Sequence, residues 1–351
     1  MKKNRLYIWC ADYAPNRGEG ILANLYIRKL LTHTKPSIVE IENFKKNSIF
    51  FRRGRFSNMG KKKVLEINHS FFHKYFYPLI AILKIWIKSM SGYQVVYVNF
   101  LPLWNFLLFA LLPKKTFLGP ITGNIYVQKV NSFDSFLRKY LLNFFFYISV
   151  FFIKKKYDNL VFSTDLLKPL IEKTIKNKKY IYNFQLTELL YIAAPKKKNI
   201  DILFYNRDHA NKKNIKIINF LNFLNQKYKI KIVGDYLPGF DNCGIVSREK
   251  IKKILSKTKM IFATLENPYS FFVLDALSNN CLINIDQNQK KKVNFFKKNF
   301  IYINYNNKKK SFNDIKKTIN KKNFLVSNYL DLSKIKKIEY EVNAIIKNQT
   351  K

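Results

Sequence analysis

Acidic residues are scarce in this sequence: 22 Asp and Glu stand against 64 Lys and Arg, a formal net charge of +42 over 351 residues. Such an imbalance ordinarily points to nucleic acid or to an anionic membrane. The lysines are spread along the whole chain, however, and accompany many Asn, Ile, Phe and Tyr, the profile that AT-rich codons produce. Nucleic-acid binding is therefore not expected, and solvated faces or a membrane-surface patch account for the charge. Cysteine is nearly missing. Cys10, Cys243 and Cys281 are far apart, with no CxxC and no His at ligand spacing, which argues against a disulfide framework or a zinc site and fits a reducing, cytoplasmic compartment.

Histidine is equally sparse. His33, His69, His73 and His209 show neither metal spacing nor a companion nucleophile, so no metal is expected. His69 and His73 are four apart but lie among Phe71, Phe72, Tyr75 and Phe76, where a structural or surface role is expected; His209 alone falls in a loop of interest. Long apolar runs are lacking as well. The longest, 100–112, 140–153 and 77–87, fall short of the ~20 residues a spanning helix needs. As helices they would cover roughly 16–21 Å of a hydrocarbon core about 30 Å thick. The run 140–153 is bracketed by Arg138-Lys139 and Lys154-Lys155-Lys156, so it reads either as a peripheral helix facing anionic lipid or as a buried helix with basic flanks. The positive start MKKNRLYIWCADYAP resembles a signal peptide, yet its apolar part is only 6–10 and Asp12 follows, which reads as a first buried strand.

What is present is an apolar fraction of 48%, enough for packed cores, at a length that suggests two domains. Short apolar strands alternate with helical patterns throughout, the mark of a doubly wound α/β class. In the first half, strands are expected at 6–10, 37–41, 64–67, 95–99, 116–118, 160–163 and 180–182, and helices at 21–32, 72–90, 103–111, 133–153 and 165–175. A second series has strands at 200–205, 230–233, 260–264, 281–285 and 300–303, with helices including 248–255 and 270–277. The lysine runs 290–292 and 308–310 read as loop charges. The expected organisation is a domain over 1–193, a linker over 194–199, a domain over 200–330 and a terminal helix within 331–351, able to pack back on either domain and expected on the first.

Two segments carry chemistry. Residues 203–212, LFYNRDHANK, run from a strand into a loop holding Arg207 and Lys212, two cations able to converge on one diphosphate. Residues 266–282, ENPYSFFVLDALSNNCL, follow a strand and open a helix near Ser270, a suitable N-cap. Helix N-termini bind anions, and Glu266 and Asp275 can accept from sugar hydroxyls. In the first half, 12–20 (DYAPNRGEG) places Gly18 and Gly20 around Glu19 before a helix, a weak phosphate-loop signal on its own. The loops 99–104 (NFLPLW) and 118–123 (LGPITG), the latter with Thr122 and Gly123, follow strands.

These segments resemble the donor domain of GT-B glycosyltransferases, in particular the retaining family often called family four. That family carries a G-R-x4-K loop after a strand, a V-G-x-G-like strand end, and an E-x7-E segment leading into an "EA-small-G" helix. Here Asn206-Arg207 with Lys212, then Ile232-Val233-Gly234-Asp235, then Asp275-Ala276-Leu277-Ser278-Asn279-Asn280 stand in those places. Asn206 and Asn280 replace glycines. Asn267 has the spacing of the first acid, and Glu266 has its charge.

The resemblance implies two Rossmann-like domains facing a cleft, and transfer of a sugar from a nucleotide-diphosphate sugar to an envelope glycan or lipid-linked acceptor at the inner membrane face. It implies catalytic roles for Arg207, Lys212 and Glu266, donor contacts from Asn267, Tyr269, Ser270, Phe271, Asp275 and Gly234, and a cleft loop at Gly18, Glu19, Gly20, Thr122 and Gly123. No cofactor is implied beyond the donor substrate. The alternatives are a non-catalytic binder of polyanion or membrane and a nucleotide-sugar epimerase of the same fold.

Overall fold

The computed structural model describes residues 5–10, 18–43, 49–52, 55–58, 71–98, 101, 103–123, 133–176, 178–189, 197–207, 215–263, 267–319 and 329–349. The chain divides into two compact units, Met1–Gln185 with Lys337–Lys351, and Leu186–Lys336.

The first unit runs β1 (Arg5–Cys10), α1 (Gly18–Thr34), β2 (Ile38–Asn43), β3 (Ile49–Arg52), β4 (Arg55–Asn58), α2 (Phe71–Met90), β5 (Gln94–Val98), α3 (Phe106–Leu111), β6 (Phe117–Leu118), α4 (Phe133–Lys156), β7 (Leu160–Val161), α5 (Lys168–Thr174) and β8 (Tyr180–Ile181). Its sheet has the order β4-β3-β2-β1-β5-β6, parallel from β2 to β6. A parallel bridge from Ile121 to Phe162 leads on to the pair β7-β8. Because the order reverses at β1 and parallel crossovers are right-handed, α1 and α2 fall on opposite faces. Every residue of β1 after Arg5 is accordingly buried. Tyr7 and Trp9 share a core with Val95, Tyr97, Ile85 of α2, Phe109 of α3 and Val150 of α4.

The strands β3 and β4 extend this sheet antiparallel. They are absent from the sequence expectation: four residues each, with Arg52 and Arg55 paired at their facing ends, they offer no long β-pattern. The strand expected at 64–67 lies outside the described residues.

The second unit runs β9 (Ile200–Asn206), α6 (Ile215–Leu224), β10 (Ile230–Gly234), β11 (Asp241–Asn242), α7 (Arg248–Leu255), β12 (Thr258–Phe262), α8 (Phe271–Ser278), β13 (Leu282–Asp286), β14 (Phe300–Ile303), α9 (Lys308–Ile319) and the start of α10 (Tyr329–Gln349). Its sheet has the order β11-β10-β9-β12-β13-β14, with every pair parallel. This is the Rossmann order 3-2-1-4-5-6. One face packs Ile202, Phe204, Ile232 and Phe262 against Phe220 and Leu221 of α6 and Ile315 of α9. Residues alternating with these, such as Leu203 and Ile261, are also fully buried, so the sheet is covered on both faces.

Two readings are corrected here. Lys308–Lys310 open α9, whose Ser311, Ile315 and Ile319 form a buried stripe at helical spacing while the three lysines stay exposed. Lys290–Lys292 close a 3-10 turn over Gln287–Lys292. Residues 197–199 are tied to the second unit: the Asn199 N–H donates to the Lys257 carbonyl, and Lys198 Nζ donates to the carbonyls of Thr258 (2.6 Å) and Asn279 (2.9 Å). Burial lowers the pKa of Lys198, partly offset by Cys281.

The α/β class and the two Rossmann-like sheets expected from the sequence are what the chain forms. The strand patterns of β1, β5 and β12 were readable because these strands are buried on two faces, which makes them nearly continuous apolar runs.

Candidate nucleotide site

The strand order of the second unit reverses between β9 and β12. In open α/β sheets the crevice beyond the carboxyl ends at such a reversal is where ligands bind. β9 ends at Asn206 and Arg207 follows; β12 ends at Phe262 and leads to α8. The two segments singled out in the sequence therefore flank one point.

Arg207 is exposed, and its guanidinium carbon stands 5.6 Å from the Tyr205 ring centre. The Tyr205 ring lies 5.5 Å from that of Phe272 in the first turn of α8. The guanidinium is thus linked through two rings to the helix start. Ser270 is the N-cap of α8, its Oγ accepting from the Val273 N–H at 3.4 Å. By position, the N–H groups of Phe271 and Phe272 have no acceptor within the helix, and the dipole there favours an anion. Lys212, His209 and Glu266 lie outside the described residues.

Gly234 ends β10 with φ +98, where a Cβ would stand 2.3 Å from the Asn206 carbonyl oxygen. The glycine is needed both for its left-handed backbone and for this close approach. Asn206, buried, then ties the two strand ends: its Nδ2 donates to the Asp235 carbonyl at 3.1 Å, and its own carbonyl accepts from the Asp235 N–H at 3.1 Å. The glycine that the family resemblance leads one to expect at 206 is thus replaced by a residue whose side chain fastens the strand ends.

Asn280, which stands at the other replaced glycine, has φ +54 just past the C-cap Asn279 of α8. That is the left-handed position where glycine is usual and Asn the next best.

Three expected donor contacts have other tasks. Tyr269 is buried, and its hydroxyl accepts from the N–H groups of Asn294 (2.8 Å) and Phe295 (2.6 Å) and donates to the Phe295 carbonyl (2.9 Å). It anchors the loop rather than facing a ligand. Asn267 is half-buried, and its Oδ1 accepts from the Tyr269 N–H at 2.9 Å, a local turn of the kind Asn favours.

Asp275 is buried, and both carboxylate oxygens accept from Arg248: Nε to Oδ2 at 2.7 Å and Nη2 to Oδ1 at 2.6 Å. Arg248 Nη1 also reaches Glu188 Oε1 at 3.1 Å, Lys252 Nζ is 3.4 Å from Asp275 Oδ1, and the guanidinium lies over the Phe271 ring. Burial works against the charge of Arg248, but the hydrogen bonds and charge of Asp275, with those of Glu188, outweigh it and hold the guanidinium above its ordinary value.

Arg248 ends the stretch 244–248 (GIVSR), which resembles a family loop, but the sequence gives neither it nor Glu188 a role in the site, since the contacts join residues 60 apart in one case and 27 apart in the other. One signal was present: an acid one and a half turns into an apolar helix needs a partner when buried.

In the first unit, Gly18 and Glu19 begin α1 and Gly20 is buried; the preceding loop lies outside the described residues. Thr122 pairs through its backbone with Leu101 and Leu103, and Gly123 packs beside Leu167. These form a bridged strand end, in a unit separate from Arg207 and α8.

No family model and no curated protein matches this chain. Among solved structures it is similar to the UDP-GlcNAc 2-epimerase of Methanocaldococcus jannaschii, at 14% identity, covering 96% of this chain and 99% of that one, with a TM-score of 0.48. It is similar to an alpha-glucosyltransferase in complex with UDP-glucose and DNA containing an abasic site, at 11% identity over 97% and 94%, TM-score 0.45. It is also similar to the T4 phage enzyme BGT in complex with its UDP-glucose substrate, at 10% identity over 99% and 97%, TM-score 0.42.

Proposed function

We propose that this chain is a GT-B glycosyltransferase of hexosyl type, moving a sugar from a nucleotide-diphosphate donor to an envelope glycan or lipid-linked acceptor with retention. The observation that carries the reading is the reversal of strand order between β9 and β12, with Arg207 at one strand end and the Ser270-capped start of α8 at the other. Cations and helix N–H groups at such a point suit a diphosphate.

In this reading Arg207 and Lys212 hold the diphosphate and stabilise the charge that develops as it departs, an electrostatic task for which positioned cations are effective. The N–H groups of Phe271 and Phe272 hold the same anion. Glu266, with Asn267 shaping its loop, meets the sugar hydroxyls. Asp275 contributes through Arg248, which it fixes beside Phe271. The work is cytoplasmic, and no cofactor other than the donor is invoked.

The test is a thermal-shift panel of UDP, GDP and dTDP and their sugars, followed by transfer assays. Arg207→Ala should weaken binding of the recognised nucleoside diphosphate by about 10–150-fold, the scale of a charged hydrogen bond, with little change in stability because the side chain is exposed. Unchanged affinity in the folded variant overturns the site.

A second reading, a non-catalytic binder, is favoured by one observation: both oxygens of Asp275 are engaged by Arg248. Donor binding without turnover would select it, whereas an altered free nucleotide sugar would select an epimerase.

A further inference from the structure

The first unit turns an apolar face outward. α3 lies between α2 and α4: Trp86 Nε1 of α2 donates to the Leu111 carbonyl at 2.8 Å, and the Phe106 and Phe145 rings stand 5.1 Å apart. The inner sides of these helices enter the core through Ile85, Phe109 and Val150. On their outer sides Leu83, Ile87 and Met90 of α2 and Phe144, Tyr147 and Phe151 of α4 are each more than half exposed, with Leu107 and Leu111 of α3 between them. Both sets recur at three- and four-residue spacing, so each is a stripe along its helix.

The α4 stripe ends in positive charge. Lys156 Nζ donates to the carbonyls of Ala110 and Leu112, both at 2.6 Å, which brings the ends of α3 and α4 together. Lys114, Lys115, Lys154 and Lys155, next to that junction, are all exposed. Between Glu66 and Asp158 the sequence holds eleven Lys and Arg and one acid, Asp134; Lys84 and Lys88 of α2 are paired with Glu42 and Glu40 of β2, so the charge that matters to this face is the one at the α3–α4 junction. No helix among the described residues is long and apolar enough to cross a membrane.

We propose that the outer face of α2, α3 and α4 seats this chain on an anionic lipid surface. The aromatic and aliphatic stripes enter the headgroup boundary while the lysines at the α3–α4 junction meet lipid phosphates. An exposed apolar patch rimmed by polar groups marks an interaction site, and the charge selects the occupant. A second copy would bring positive charge against positive charge, whereas an anionic bilayer neutralises it. The inference rests on the first unit alone and is independent of what the second unit binds.

The test is cosedimentation of the full chain, without any sugar donor, with vesicles of phosphatidylglycerol and phosphatidylcholine and with phosphatidylcholine alone. Binding should require phosphatidylglycerol and fall as salt rises. Charge reversal at Lys114, Lys115, Lys154 and Lys155 to Glu should weaken it roughly 1,000-fold or more, and Leu83→Ser with Phe144→Ser and Phe151→Ser by roughly tenfold or more. Unfolding midpoints close to the parent's would show that the variants fold, as expected for exposed positions. Equal binding to both vesicle types, binding to neither, or variants that bind like the parent would overturn the proposal. So would a lipid-free dimer that the Ser substitutions dissociate, which would assign the face to a second copy.

Discussion

In the first unit β1 runs between β2 and β5, and in the second β9 runs between β10 and β12. Both sheets reverse strand order beside their first strand, and both bury that strand completely or nearly so. The units differ in what surrounds this shared plan. Around the second sheet, polar side chains fasten the periphery: Asn206 ties one strand end to Asp235, Tyr269 holds the loop at 294–295, and Asp275 of α8 is paired with Arg248 of α7. Around the first, three helices leave apolar side chains facing out. Exposed apolar side chains such as Ile215 and Ile245 also occur in the second unit, but in the first they line up as stripes on neighbouring helices; a Rossmann-like frame tolerates both peripheries, because the sheet and its inner helix faces supply the core by themselves.

The largest expected effect tests the polar lock. Arg248→Leu leaves the buried Asp275 carboxylate with Lys252 as its nearby cation among the described residues, and should cost about 3–4 kcal/mol, the lower part of the range for a buried pair broken on one side. Arg248→Leu combined with Asp275→Leu should recover most of it; urea unfolding reads both. Failure of the double variant to recover would mean that the pair has no mutual compensation.

Gly234→Ala comes next. A Cβ at φ +98 and 2.3 Å from a backbone carbonyl forces strain of about 1–3 kcal/mol, and because it disturbs the Arg207 strand end it should also weaken nucleotide binding. A stable variant with unaltered binding would separate β10 from the site.

Asn280→Ala should cost about 1 kcal/mol, the left-handed penalty for a Cβ without a local polar partner, whereas Asn280→Gly should be neutral or slightly stabilising. The reverse order would show that the amide, and not the backbone angle, is what the position requires.

The smallest effect tests the other side of the comparison. Leu83→Ser on the outer face of α2 should change stability by no more than ~0.5 kcal/mol, while Ile85→Ala, two residues away and fully buried, should cost about 2–4 kcal/mol. A large loss at Leu83 would mean that its face is covered in the folded chain.

By itself the sequence determined the α/β class, most strands and helices, the N-cap Ser270 and the two segments at the strand reversal. These are local signals: an apolar run, a 3.6-residue period, a hydroxyl before a helix. Tertiary structure alone decided the rest. The hairpin β3–β4 is too short and too rich in arginine to show a pattern, and the lysines at 308–310 read as loop until Ser311, Ile315 and Ile319 are seen to line one buried stripe. The task of Asp275 was decided by Arg248, 27 residues earlier, and that of Tyr269 by the N–H groups of Asn294 and Phe295. A side chain's chemistry is written in the sequence, but its partner is chosen by burial, which removes water as the alternative and leaves the charge or hydroxyl to whichever group the fold brings within reach.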